Sequence, residues 1–276
     1  MDWNRIKTIF IVSFLILDLF LVFQFVQKKD DSNQLEYMAE TNIEDQMKAD
    51  KITADNFPKE PTKDTYIMAK NRAFSDEDIN SLKNQKASLQ EPNTLVSKLK
   101  EPFWNTKATT GDNYSEFLRS YVMDGQKYSA AGKAEGSKVY FFQKYKDKPL
   151  FYNQHGMIVA ELNEKKEIIS YTQTMLYEFK EMGDRNKELD IISARNALET
   201  LYTKNTKNEL KQGTHVKGAK LGYATVVAPS SSNVQVLVPT WNLYTDKMDY
   251  FVNAVEGQII QLGKDNKENE QWSEAK

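Results

Sequence analysis

Residues 150–179 read LFYNQHGMIVAELNEKKEIISYTQTMLYEF. Aromatic and β-branched residues dominate the stretch, as half-buried strands require. Turn residues cut it at Gln154 to Gly156 and again at Asn163 to Lys166. It therefore divides into three strand candidates, and the turns imply antiparallel hairpins.

The same pattern continues upstream. Lys138 to Tyr145 reads as a strand with Val139, Phe141 and Tyr145 on one face and Tyr140 and Phe142 on the other. Lys148-Pro149 reads as a breaker behind it. Thr65 to Phe74 is a further strand. Ser75 to Asp78 is a capping box that opens a short helix through Ile79 and Leu82. Asn93 to Leu99 and Tyr114 to Val122 carry short helical patterns.

Downstream, Leu189, Ile192, Ala197, Leu198 and Leu201 recur at helical spacing and predict a helix from Asp190 to Lys204, with Ser193 and Ala194 inside it. Strands follow at Ala219 to Val227, Val234 to Tyr244, Tyr250 to Val255 and Ile259 to Leu262. Glu256-Gly257 joins the last pair, with glycine supplying the positive φ. The expected class is α+β, with two small antiparallel-sheet-plus-helix modules at 64–182 and 183–263 and a polar tail at 264–276. The modules echo one another: Asn153-Gln154-His155-Gly156 precedes Met157-Ile158, and Ala254-Val255-Glu256-Gly257 precedes Gln258-Ile259-Ile260. A helix, a strand meander and the closing YFVNAVEGQII resemble the PepSY-type module of extracytoplasmic proteins.

The amino terminus is of another kind. Thr8 to Val26 reads TIFIVSFLILDLFLVFQFV, in which only Thr8, Ser13, Asp18 and Gln24 are polar. At 1.5 Å per residue it is roughly 28 Å long, close to one hydrocarbon core. It exceeds a signal-peptide core and no Ala-x-Ala site follows closely, so it reads as an uncleaved transmembrane helix at 8–26. The seven-residue tail 1–7 is expected inside the cell and the remainder outside, although the flanking charges (Arg5 and Lys7 before, Lys28 and Lys29 after) are nearly balanced. Residues 27–63 then read as stalk and linker: Thr41 and Glu44 form a capping-box pattern, and Pro58 and Pro61 close the segment.

Asp18 lies near mid-membrane, where a carboxylate costs at least ~2.5 kcal/mol. Such residues usually face a partner helix and pair there; the other reading is a protonated Asp18 that the apolar remainder of the span carries into the membrane. Phe10, Phe14, Leu17, Leu21 and Phe25 lie beside it at helical spacing, and with Asp18 they are the candidate partner contacts in the membrane. There is no GxxxG pattern for close self-association.

Composition narrows the function. The 276 residues include no Cys and two His, so no disulfide, Cys-zinc site, Fe–S cluster or cysteine nucleophile is possible. Lys and Arg number 37 against 39 Asp and Glu, a net charge of −2 that lacks the basic footprint of a nucleic-acid binder. Four of the basic and two of the acidic residues precede Asp30, which leaves 33 against 37 in the outer portion, a net of −4. That charge suits a domain beside an anionic surface but not drawn flat onto it.

Motifs for chemistry are missing. GxSxG, HExxH, GxxxxGK[ST] and GxGxxG do not occur. Gly213 to Lys220 is the nearest to a phosphate loop, but it lacks Lys-Ser/Thr after the second glycine. His155 and His215 fall in turns with no nucleophile at a fixed spacing. Glu44-Asp45, Asp76-Glu77-Asp78 and Glu178/Glu181 fall at helix starts or solvated ends, where capping explains them. No catalytic, cofactor or metal residue is assigned.

The opening MDWNRIKTIFIVSFLILDLFL (1–21) resembles the start of the YycI (WalI) family, membrane-anchored regulators of low-GC Gram-positive bacteria. IEDQMKADKI (43–52), KPLFYNQHGMIVAELNEKKEIISYTQTML (148–176), KLGYATVV, VLVPTWNLY and YFVNAVEGQIIQL extend the resemblance along nearly the whole chain. The resemblance implies one transmembrane helix and an extracytoplasmic α+β part. It also implies action with a sister protein, YycH, on the sensor histidine kinase WalK (YycG), which controls cell-wall metabolism, through transmembrane contacts and without catalysis. Two other readings stand beside it. One is a PepSY-like binding or inhibitor module for which the anchor is only a tether. The other is a cell-wall hydrolase, which would need a cleft with paired carboxylates.

Overall fold

The computed structural model describes residues 7, 11–12, 14–15, 17–22, 43–55, 57, 62–104, 114–129, 133–182, 188–204, 210–225 and 233–262. The chain divides into two compact units, residues 1–53 with 211–214, and residues 54–210 with 215–276. In the first unit the described residues between 7 and 22 are helical and turn apolar side chains outward; Ile11 is 66% exposed and Leu19 63%. Residues 43–49 form a second helix, closed where Ile52 N–H donates to the Met47 carbonyl. Thr41 of its expected capping box lies outside the described residues, as do Pro58 and Pro61. Among the described residues no helix is long and apolar enough to cross a membrane.

The second unit is strand-rich, mixed α+β, and built on two antiparallel sheets. The first runs in the order Gln85–Glu91, Thr94–Phe103, Ile168–Gln173, Met157–Leu162, Lys138–Phe142, Lys133–Glu135. Alternation fixes its buried face, on which Leu95, Val139, Phe141, Ile158, Ala160 and Tyr171 all lie. The helix Ser115–Tyr121 covers it, seating Phe117 against Phe103, Phe141 and Tyr171 at ring separations of 5.6 to 5.8 Å.

The second sheet is organised by one 12-residue strand, Val234–Thr245. One edge pairs with His215–Thr225 along its length. The other edge pairs first with Tyr66–Asn71, through Val234 to Leu237, and then with Asp249–Asn253, through Thr240 to Tyr244. Pro239 sits where the partner changes, and its carbonyl still accepts from Ala254 N–H. A residue without an N–H is tolerated there because the ladder is interrupted at that point. Leu176–Met182 pairs with Tyr66–Asn71, and Ile259–Ile260 closes the far side on Asp249–Asn253. The helix Ala194–Thr203 lies on this sheet, and Trp241 Nε1–H donates to the Ile192 carbonyl just before it (2.9 Å).

Several expectations are corrected. Asn93 to Leu99 is not helical but opens the strand Thr94–Phe103, whose buried residues Leu95, Ser97 and Leu99 alternate. Lys148-Pro149 is not a breaker; it returns a small hairpin onto Lys144–Tyr145, turned by Lys146 and Asp147 at φ 47° and 63°. Leu150 to Asn153 is not a strand, and Met157–Leu162 pairs instead with Lys138–Phe142. Ser193 is not inside the later helix but caps it, its side chain accepting from Asn196 N–H. The capping box at Ser75 is present with both of its hydrogen bonds.

Candidate functional site

A cleft of about 450 Å³ opens between the edge strand Lys133–Glu135 of the first sheet and the loop Thr245 to Met248 of the second. Gly136, at φ 63°, turns the chain tightly from Glu135 into Lys138, which leaves Lys133–Glu135 as the last strand of its sheet. On the other wall Thr245 pins the loop: its Oγ1 donates to the Met248 carbonyl and accepts from Met248 N–H. The loop brings the charged residues Asp246 and Lys247 to the cleft, and Tyr152, Asp249, Phe251 and Leu262 complete the lining.

The charges converge. Lys133 Nζ lies 2.5 Å from Asp249 Oδ2, 3.8 Å from Glu135 Oε1 and 5.7 Å from the centre of the Tyr152 ring. Tyr152 O–H donates to Glu135 Oε1 at 2.8 Å. Burial and the Glu135 carboxylate push the Tyr152 pKa far up, so its hydroxyl remains a donor at all ordinary pH. Asn242, 9% exposed, directs its amide N–H to Asp249 Oδ2 (3.3 Å), and its Oδ1 has no hydrogen-bond partner among the described residues.

Tyr152 itself is strained, with φ at +46°. A bulky side chain there is an outlier that costs about 1–3 kcal/mol and persists only where surrounding contacts hold it. Here the ring is wedged 4.8 Å from Phe142 and 5.9 Å from Phe251. An aromatic wall with two carboxylates and a hydroxyl donor can hold a cation; one ammonium, that of Lys133, already sits in it.

The residues expected from sequence lie elsewhere. Phe14, Leu17, Asp18 and Leu21 are on the amino-terminal helix, all exposed, and Phe10 and Phe25 fall outside the described residues. His155 occupies an Asn153 turn, its backbone N–H donating to Asn153 Oδ1, and burial lowers its pKa. His215 pairs with Asp55 at 3.4 Å. Lys133, Glu135, Tyr152 and Asp249 escaped sequence reasoning. Lys133 and Asp249 are 116 residues apart and belong to no motif. Among the described residues no group of three or more His, Cys, Asp or Glu is placed to hold a metal ion.

The family model described as YycI protein matches residues 31–255. A search of curated proteins finds no match. Two solved structures are similar to the chain. One is the crystal structure of an uncharacterized protein from Eubacterium rectale ATCC 33656 at 1.45 Å resolution, 10% identical over 78% of this chain and 92% of that one, with a TM-score of 0.42. The other is the Bacillus megaterium YpeB C-terminal domain, 12% identical over 70% of this chain and all of that one, with a TM-score of 0.33.

Proposed function

The chain belongs to the YycI family, and from that premise we propose that it is a non-enzymatic regulator of the WalK (YycG) sensor histidine kinase, which controls cell-wall metabolism. Residues 8–26 form its single transmembrane helix, the tail 1–7 is cytoplasmic, and the α+β part lies outside the membrane on the stalk 27–63. A YycH-like sister protein is its partner, and regulation runs through contacts among transmembrane helices, with Phe10, Phe14, Leu17, Asp18, Leu21 and Phe25 on the contacting side.

The observation that carries this reading is the family match over 225 residues, from 31 to 255. The outward-facing apolar row on the amino-terminal helix supports the membrane part: Phe14, Leu17, Phe20 and Leu21 are each about half exposed. A helix apolar all round is stable in lipid or in a packed bundle, not in water.

The test has two arms. Co-purification of the kinase is compared between wild type and Asp18→Leu combined with Phe14→Ala; weaker association and altered kinase output are expected. Residues 1–29 are also exchanged for an unrelated anchor, and regulation should be lost. Unchanged association and output would remove the span from the mechanism.

The cleft favours a second reading, an extracytoplasmic PepSY-like binding module whose anchor is only a tether. Regulation that survives the anchor exchange would select it.

A further inference from the structure

We propose that the outer face of the first sheet, at Lys86, Lys98 and Lys100, is a docking surface for an anionic bilayer. The inference rests on the membrane reading above, which puts the α+β part on a stalk beside the bilayer, and it adds which face is presented.

The register sets the lysines together. Lys86, on the edge strand Gln85–Glu91, is the direct partner of Lys98 on Thr94–Phe103. Lys100 follows on the same side, because Leu99 between them is buried. All three are exposed, and among the described residues none of them pairs with a carboxylate. Like charges directly opposite one another on neighbouring strands destabilise a sheet. A local rule broken without internal compensation marks a functional position, and the compensation missing here is negative charge.

The nearest carboxylates do not supply it. Glu161 lies two strands away, about 10 Å by strand spacing, where it accepts from Ser170 Oγ–H at 2.9 Å and stands opposite Lys138. Glu91 stands opposite Thr94, about 13 Å along the strand from Lys98. Glu101 is turned to the other side, between the inward-facing Leu99 and Phe103. The turn Asn163 to Glu167 carries two lysines and two glutamates, and Lys133 at the far edge is paired with Asp249. With these balanced groups set aside, the face carries four lysines against two glutamates, while the outer portion as a whole is at −4.

Shape and charge type choose a bilayer. The face is a strand surface on which Ser88, Val96 and Thr172 form the next row. Lysine ammoniums are strongly hydrated point charges without the arginine fork that grips one phosphate. The cluster therefore responds to charge density, which a bilayer with anionic lipid presents across a whole face. Each lysine near such a surface is worth about fivefold in binding, so three hold a free polyanion weakly. A domain kept beside the bilayer by its own anchor binds at high effective concentration, and the same contacts suffice. The acidic remainder is repelled, which leaves one orientation.

The full chain is reconstituted into phosphatidylcholine vesicles with or without phosphatidylglycerol. It has no Cys, so Ser88→Cys carries a single fluorophore, and the exposed Gln258→Cys on the second sheet is the control position. Contact is read as quenching by headgroup-labelled lipid. Quenching is expected at position 88 only in the phosphatidylglycerol vesicles, should exceed that at position 258, and should fade in high salt. Lys86→Gln with Lys98→Gln and Lys100→Gln should reduce the docked-to-free ratio at least tenfold. It should not lower the melting temperature, because it also relieves like-charge repulsion. Flotation with phosphatidylcholine vesicles reports the anchor alone. A chain that floats without quenching at position 88 overturns the docking face and leaves the anchor standing; a chain that does not float overturns both. The proposal also fails if neutral vesicles quench equally, if quenching persists in the triple variant, or if soluble polyphosphate binds through the three lysines while anionic vesicles do not quench.

Discussion

Gln143 is 1% exposed and treats Leu176 as a strand partner. Its Nε2–H donates to the Leu176 carbonyl and its Oε1 accepts from Leu176 N–H, each at 2.8 Å. Gln143→Leu removes both bonds and leaves two buried backbone groups unpaired. Each such group costs about 1–3 kcal/mol, so the unfolding free energy in urea should fall by about 2–6 kcal/mol with an unchanged denaturant slope. A loss below ~1 kcal/mol would show that the two bonds are replaced elsewhere. His155 makes a prediction of another kind. Burial lowers its pKa, partly opposed by the Glu91 carboxylate, so the unfolded chain takes up a proton first as pH falls. Stability is therefore full above pH 6.5 and declines as pH drops from 6.5 toward the lowered value. His155→Gln should flatten this decline in melting temperature. Glu178 and Glu181, held below their ordinary range by hydrogen bonds from Lys70 and Lys146, add losses only below pH 4.5, so the two windows separate. An equal slope in wild type and His155→Gln between pH 5 and 6.5 would reject the assignment.

Individual elements differ in how plainly the sequence announces them. The helix Ala194–Thr203 is legible because its buried apolar residues Ala194, Ala197, Leu198 and Leu201 follow the 3.6-residue period. The capping box at Ser75 was legible because it is local chemistry, two side chains three residues apart. Thr94–Phe103 was misread for a specific reason. Leu95 and Leu99 are four apart, which suggests a helix, and Ser97 between them looks like a polar interruption. In the sheet Ser97 is 1% exposed and its hydroxyl is satisfied by Gln85 Oε1 at 2.6 Å, while Gln85 Nε2–H reaches the Tyr121 carbonyl. The alternation was intact, but one of its inward positions was polar and paired with a residue 12 positions away. The hairpin at Lys146-Asp147 was hidden similarly, because two non-glycine residues take up positive φ there. The cleft was the least legible feature. Its charged groups come from two sheets, and nothing local marks Lys133 as the partner of Asp249.

At the scale of the whole second unit, chain order and sheet order disagree. Residues 74–175 contain an entire core of their own: Phe74, Leu95, Phe117, Phe141, Ile158, Tyr171 and Met175 pack together. The strands that bracket this stretch, Tyr66–Asn71 and Leu176–Met182, pair with each other and enter the second sheet through Val234 to Leu237. The expected second module, 183–263, thus lacks two strands of its own sheet. It also lacks Asp64, 8% exposed, which accepts from Tyr223 O–H at 2.7 Å and pairs with Lys148 at 2.6 Å. Breaking one partner from a buried pair of this kind costs about 3–5 kcal/mol, comparable to much of a small domain's stability. A fragment of residues 183–263 should therefore show no cooperative thermal transition by circular dichroism. A fragment of residues 72–175 should retain one, at a lower temperature than the full chain, because Leu150 and Phe151 lose their neighbours Tyr223 and Phe251 on the second sheet. Mixing 183–263 with 64–182 should restore a single transition, since that pair supplies every strand of the second sheet between Tyr66 and Ile260. A sigmoidal melt of 183–263 alone would show that the two bracketing strands are dispensable and that the sheet is held by His215–Thr225, Val234–Thr245 and Asp249–Asn253 by themselves.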